Sequence, residues 1–126
     1  MAKHFLLIAG LSGLVAVILG AFGAHGLRGK ITPELLAAFQ TGVQYQFYHT
    51  LALLLVAVLL LRFPEFSSLH WVGLAFVAGL LLFSGSLYAL ALGGPRWLGP
   101  VTPLGGVCFI AGWLMLCVSA WRLPLP

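Results

Sequence analysis

A chain of 126 residues that is 62% hydrophobic and only 6% charged, with a mean hydropathy of +1.13, is too apolar for a soluble globular domain, where roughly a quarter of residues are charged, and too poor in polar residues for a disordered one. It reads as a single integral membrane domain. The formal net charge of +4 does not point to nucleic acid, because Lys3, Arg28, Lys30, Arg62, Arg96 and Arg122 stand singly at the edges of apolar runs, where membrane anchors belong.

Residues 4–23 carry no charged side chain, and at about 1.5 Å per residue they reach across a hydrocarbon core of roughly 30 Å. The run is longer than the roughly 7 to 15 residues of a signal-peptide core, so a retained first span is expected. Ser12, Ala16, Gly20 and Ala24 recur every four residues along it and predict a small-residue stripe on which another helix approaches closely. A short loop, residues 25–31, leads to Thr32-Pro33-Glu34. That triplet supplies a capping oxygen, a proline at the first helical position and an acid at the positive dipole end.

No proline interrupts residues 34–62. The reading is therefore a polar helix start over 33–42, a bend near Gly42 where glycine weakens the helix, and a second span over 43–61. Pro64 ends that helix, and spans at 70–92 and 101–121 follow, separated by the breaker-rich residues 93–100. Trp71, Trp97 and Trp121 fall at predicted interfaces, as an aromatic belt requires. Cys108 and Cys117 lie nine apart on one predicted helix and point to opposite faces, which excludes a disulfide between them. The fold class is thus an all-α membrane protein, a four-transmembrane-helix bundle. Four spans put both termini on one side, so Lys3, Arg62 and Arg122 oppose Arg28, Lys30 and Arg96. Charge gives no orientation.

Folding this order onto a bilayer brings the polar end of every helix to the same membrane half. The segments are residues 20–27 with His25, residues 40–49, residues 83–88, and residues 102–106 with Thr102, Gly105 and Gly106. In the second helix, Gln40, Gln44 and Tyr48 recur at four-residue spacing, as do Thr41, Tyr45 and His49. Polar groups in lipid need partners inside the protein, so these residues are expected to turn inward and meet Ser84, Ser86, Tyr88 and Thr102. Gly105 and Gly106 join the small stripe as helix-packing positions.

The cluster has two readings. In the first, it is polar glue: interhelical hydrogen bonds worth about 1 kcal/mol each, with His49 neutral and bonded to Ser84, Tyr88 or a first-helix carbonyl near His25. In the second, His25 and His49 flank a half-membrane cavity for a small molecule, lipid or ion. Specific chemistries are poorly supplied. Haem ligation needs His25 and His49 at similar depth on facing helices, and zinc needs a third ligand where only Glu34 is at hand. A serine hydrolase built on Ser84 or Ser86 lacks an orienting carboxylate, and no span carries the acid usual in proton-coupled antiporters. No catalytic residue, metal site or cofactor is assigned.

GAFGAHGL at residues 20–27, QTGVQYQFYHTLAL at 40–53, LFSGSLYALAL at 82–92 and TPLGGVCFIAGW at 102–113 together resemble the signature blocks of the YgdD-like family, small bacterial inner-membrane proteins with an animal counterpart. The resemblance covers nearly the whole chain. It implies a four-helix membrane protein with no established catalytic residues. Gln44 stands where some members have glutamate, so the resemblance implies no required carboxylate there. Some members also carry a longer basic tail, which implies cytoplasmic termini and a polar half facing the periplasm. The function expected is that of a non-enzymatic structural or accessory bundle among membrane lipids, a homo-oligomer or a subunit of a larger membrane complex. The alternative is a transporter-like binding protein using the cavity near His25 and His49.

Overall fold

A computed structural model describes residues 1–126. Four helices are long and apolar enough to cross a membrane: α1 (Ala2–Gly26), α2 (Pro33–Arg62), α3 (Ser67–Ala91) and α4 (Val101–Arg122), the last preceded by a 3-10 turn at Arg96–Leu98. The connections are short, and Gly29 and Gly93 take positive φ values of 81° and 94°, a region open to glycine at little cost. The start of α2 forms as its sequence dictates. The Thr32 hydroxyl accepts a hydrogen bond from the Leu35 amide at 3.2 Å, with Pro33 at the first position and Glu34 in the first turn.

The helix passes through Gly42 without interruption, and the irregularities fall elsewhere. Single π-helical turns close α1 at Phe22–Gly26 and interrupt α3 at Leu80–Ser84. What Gly42 supplies is room, since a Cβ there would lie 2.8 Å from the Tyr88 ring.

The same device recurs between the other helices. Phe5 of α1 lies over Gly73 of α3, Phe39 of α2 over Gly23 of α1, Phe109 of α4 over Gly79 of α3, and Phe76 of α3 over Gly112 of α4. Lipid tails are as apolar as leucine, so burial alone gives helices little reason to associate in a bilayer. A ring seated in a glycine notch gains close dispersion contacts instead. The largest apolar cluster includes Phe5, Leu53, Val56, Leu69, Val72, Phe76 and Phe109, and a smaller one joins Leu27, Phe39, Val43 and Ala91 near the polar end.

α2 is the central helix, packing against α1 and α3, while α3 packs on α4. The small-residue stripe of α1 faces α2 for three of its four positions. Ser12 meets Thr50, Ala16 is buried, and Gly20 lies beside Val43. Ala24 is exposed and Gly23 takes its place against Phe39. Each four-residue step advances about 40° beyond a full turn at 3.6 residues per turn. Three such steps carry Ala24 off the contact face.

Candidate functional site

The polar side chains that face inward form separate knots. Gln46 of α2 is the centre of the first. Its amide nitrogen donates to the Ser12 carbonyl at 2.8 Å and to the Ser12 hydroxyl at 3.2 Å, and its amide oxygen accepts from the Tyr88 hydroxyl. Thr50, one turn on, shares a 2.6 Å hydrogen bond with Ser12. Three helices are thereby tied at one depth.

His49 is the centre of the second knot. Its Nε2 accepts from the Trp113 indole N–H at 3.0 Å, and its Nδ1 lies 2.8 Å from the Tyr45 carbonyl. A carbonyl can only accept and an indole N–H can only donate, so the ring is the neutral tautomer with the proton on Nδ1. Phe109 stacks on this imidazole at 3.5 Å between centroids, and Phe76 and Trp113 meet it edge-on. Elsewhere Ser84 donates to the Gly42 carbonyl at 2.8 Å, and Ser86 donates to the Phe83 carbonyl at 2.9 Å while bonding Thr102. Ser119 donates to Ser68 at 2.8 Å near the opposite membrane face. No buried side-chain nitrogen or oxygen is left without a partner.

Several expected neighbours do not meet. Gln44, Tyr45 and Tyr48 lie on the exposed side of α2, Tyr48 at 56% exposure, and the inward polar residues are Gln46, His49 and Thr50. Tyr45 still leans its ring on Phe83, 4.7 Å away. The reason is helical phase. Phe39, Gln46, Leu53 and Leu60 recur at seven-residue intervals and are all buried, so the large apolar side chains pull their own face inward and Gln46 comes with them. Gln46 is legible from that spacing, and Thr50 from the parallel series Val43, Thr50 and Ala57, all buried; Trp113 as the partner of His49 is not, because the pair is 64 residues apart.

His25 is exposed in the terminal turn of α1. Gly13 lies beside Thr50, Gly20 beside Val43 and Gly23 beside Phe39. His25 is therefore level with the residues before Phe39, about 18 Å along the axis from His49 at 1.5 Å per residue. No cavity joins the two histidines. A cleft of about 360 Å³ lies instead between α1 and α3, floored by Ser12, Gln46 and Tyr88 and walled by residues such as Val15 and Leu81. A wider recess of about 640 Å³ sits at the membrane edge between residues 29–35 and 91–93. No three His, Cys, Asp or Glu side chains converge.

The hydrogen bonds of His49 make a test. His49→Leu should strand the Trp113 N–H and lower stability by roughly 1–3 kcal/mol, with a shift in tryptophan fluorescence. His49→Gln, which keeps an acceptor, should lose less. Thermal unfolding in detergent decides, and equal losses for the two variants would remove the hydrogen bond as the cause.

Comparison with known proteins places the chain. A family described as "Protein of unknown function (DUF423)" matches residues 19–106. The UPF0382 membrane protein YwdK of Bacillus subtilis is 48% identical over 118 residues, covering 94% of this chain and 96% of that one. The UPF0382 inner membrane protein YgdD of Escherichia coli K12 is 45% identical over 124 residues, covering 98% and 94%. A Staphylococcus aureus relative, UPF0382 membrane protein SAB0533, is 42% identical over 120 residues, covering 95% and 97%. No solved structure matches. The chain belongs to this DUF423/UPF0382 family of membrane proteins and is an integral membrane protein.

Proposed function

Starting from that membership, we propose that the protein is a non-catalytic bundle of the bacterial inner membrane, with cytoplasmic termini, that acts by lateral association with further copies of itself or with a larger membrane complex. The observation that carries this reading is the mutual satisfaction of the inward polar groups. Gln46, His49, Thr50, Ser84 and Ser86 spend their hydrogen bonds on Ser12, Tyr88, Trp113 and Thr102 side chains or on the chain's own backbone. A transport or catalytic site keeps polar groups available to its substrate. The inner-membrane placement is supported by the Escherichia coli relative, and the orientation by the family resemblance.

The bundle leaves much of its outer surface free for lateral contact. Large apolar side chains such as Leu7, Leu11, Leu14, Ile110 and Leu114 line the outer sides of α1 and α4, open to lipid or to another protein. Chemical crosslinking in native membranes at native abundance should yield discrete adducts, either between copies or with particular membrane proteins. A chain that stays monomeric under conditions that capture a known complex in the same membranes refutes the proposal.

A further inference from the structure

The face of α2 opposite its core is polar where the bilayer gives polarity no partner. Gln44, Tyr48, Leu51 and Leu55 follow one another at steps of four, three and four residues, the spacing of a helix-pairing seam. All are exposed, with Tyr48 at 56%, Leu51 at 61% and Leu55 at 52%. Depth can be set from α1. Its middle, at Gly13, lies beside Thr50 of α2, so the bilayer midplane passes close to Thr50. At 1.5 Å per residue Tyr48 is then about 3 Å from the midplane and Gln44 about 9 Å, both inside a hydrocarbon half-thickness of about 15 Å.

The buried polar groups are all bonded, yet no hydrogen bond within the chain reaches the Gln44 amide or the Tyr48 hydroxyl. A monomer would hold both against acyl chains, which neither donate nor accept.

We propose that this outward face of α2 is the contact between two parallel copies of the chain, with the Gln44 amides paired across the two-fold axis. The inference rests on the reading that the protein acts by lateral association, and it names the partner and the face. A primary amide is its own complement, offering one N–H and one C=O to an identical group, and an isologous two-fold contact brings identical residues together. Orientation follows from depth. In a parallel pair Gln44 meets Gln44, whereas in an antiparallel pair the residue at matching depth beyond Thr50 falls at Leu55 or Val56, which cannot bond an amide. Six balanced cations leave orientation open; this pairing does not.

The test is disulfide trapping in native membranes, in a chain whose Cys108 and Cys117 are replaced by alanine. Gln44→Cys and Leu51→Cys should each give a linked dimer under mild oxidation. Leu11→Cys and Ile110→Cys, similarly exposed at 62% and 61% on α1 and α4, should not. In lipid vesicles, Gln44→Leu should weaken dimerisation by about tenfold, measured by energy transfer between labelled copies, and Gln44→Asn should recover part of it. Trapping through Leu11→Cys or Ile110→Cys alone, trapping of Gln44→Cys against Leu55→Cys, or an unchanged affinity in Gln44→Leu overturns the inference. Adducts only with other proteins overturn it while leaving the association reading intact. Absence of disulfide adducts overturns it, and absence of chemical crosslinks as well overturns both.

Discussion

Gly105→Ala should separate α4 from α3. A Cβ on Gly105 would collide with the backbone of α3, at the Phe83 amide nitrogen, the Phe83 Cα and the Leu82 carbonyl carbon. At the notches of Gly23, Gly42, Gly73, Gly79 and Gly112 the nearest atom is a ring that can turn, but here it is the main chain of another helix, and the two helices have to part. Overpacking usually costs about 1–3 kcal/mol, and this site belongs at or above the top of that range. The Ser86–Thr102 bond, one turn nearer the membrane edge, should be lost with it. Gly106→Ala provides the control, since its Cβ would meet only the Phe83 ring at 3.9 Å and alanine favours the helix. Thermal unfolding followed by circular dichroism should show Gly105→Ala strongly lowered and Gly106→Ala unchanged or raised. A similar midpoint for the two variants would dismiss backbone contact as the basis of the α3–α4 interface.

Gln46→Leu should be among the most damaging losses of a polar side chain. It removes three hydrogen bonds and leaves the Tyr88 hydroxyl without its acceptor. Interhelical bonds in membranes average about 0.6 kcal/mol, because the unfolded chain in lipid also finds partners. Three bonds then amount to about 2 kcal/mol. Tyr88→Phe in the Gln46→Leu background should restore part of the loss, since no hydroxyl is then stranded. A double-mutant cycle in detergent measures this coupling; additive effects would mean that Gln46 and Tyr88 do not act together. The contrast is Gln44→Leu, two residues away on the lipid side. It should leave monomer stability unchanged.

Gln44 and Gln46, two residues apart on α2, face opposite ways. Chain order alone dictates the four apolar helices, the Thr32 cap and the breaker-rich turns. Each depends on local chemistry: the length of an apolar run, an oxygen at a helix start, a proline that cannot continue a helix. The small stripe of α1 was legible for the same reason, up to the point where helical drift moved Ala24 away.

Helical periodicity sorts residues into faces but does not say which face turns inward. For α2 there were two polar faces to choose from, and the four-residue series Gln40, Gln44 and Tyr48 was the more conspicuous. Tertiary packing chose the other. Phe39 and Tyr88 fill the notches at Gly23 and Gly42, and Leu53, Val56 and Leu60 pack in phase with them. Gln46 and His49 were carried inward, and Gln44 and Tyr48 were left toward lipid. The same packing set His49 against Trp113 and kept it about 18 Å from His25, because the level of one helix against another depends on which ring meets which glycine across dozens of residues of chain. Local preferences carry no information about that match, and close contact between complementary surfaces decides it.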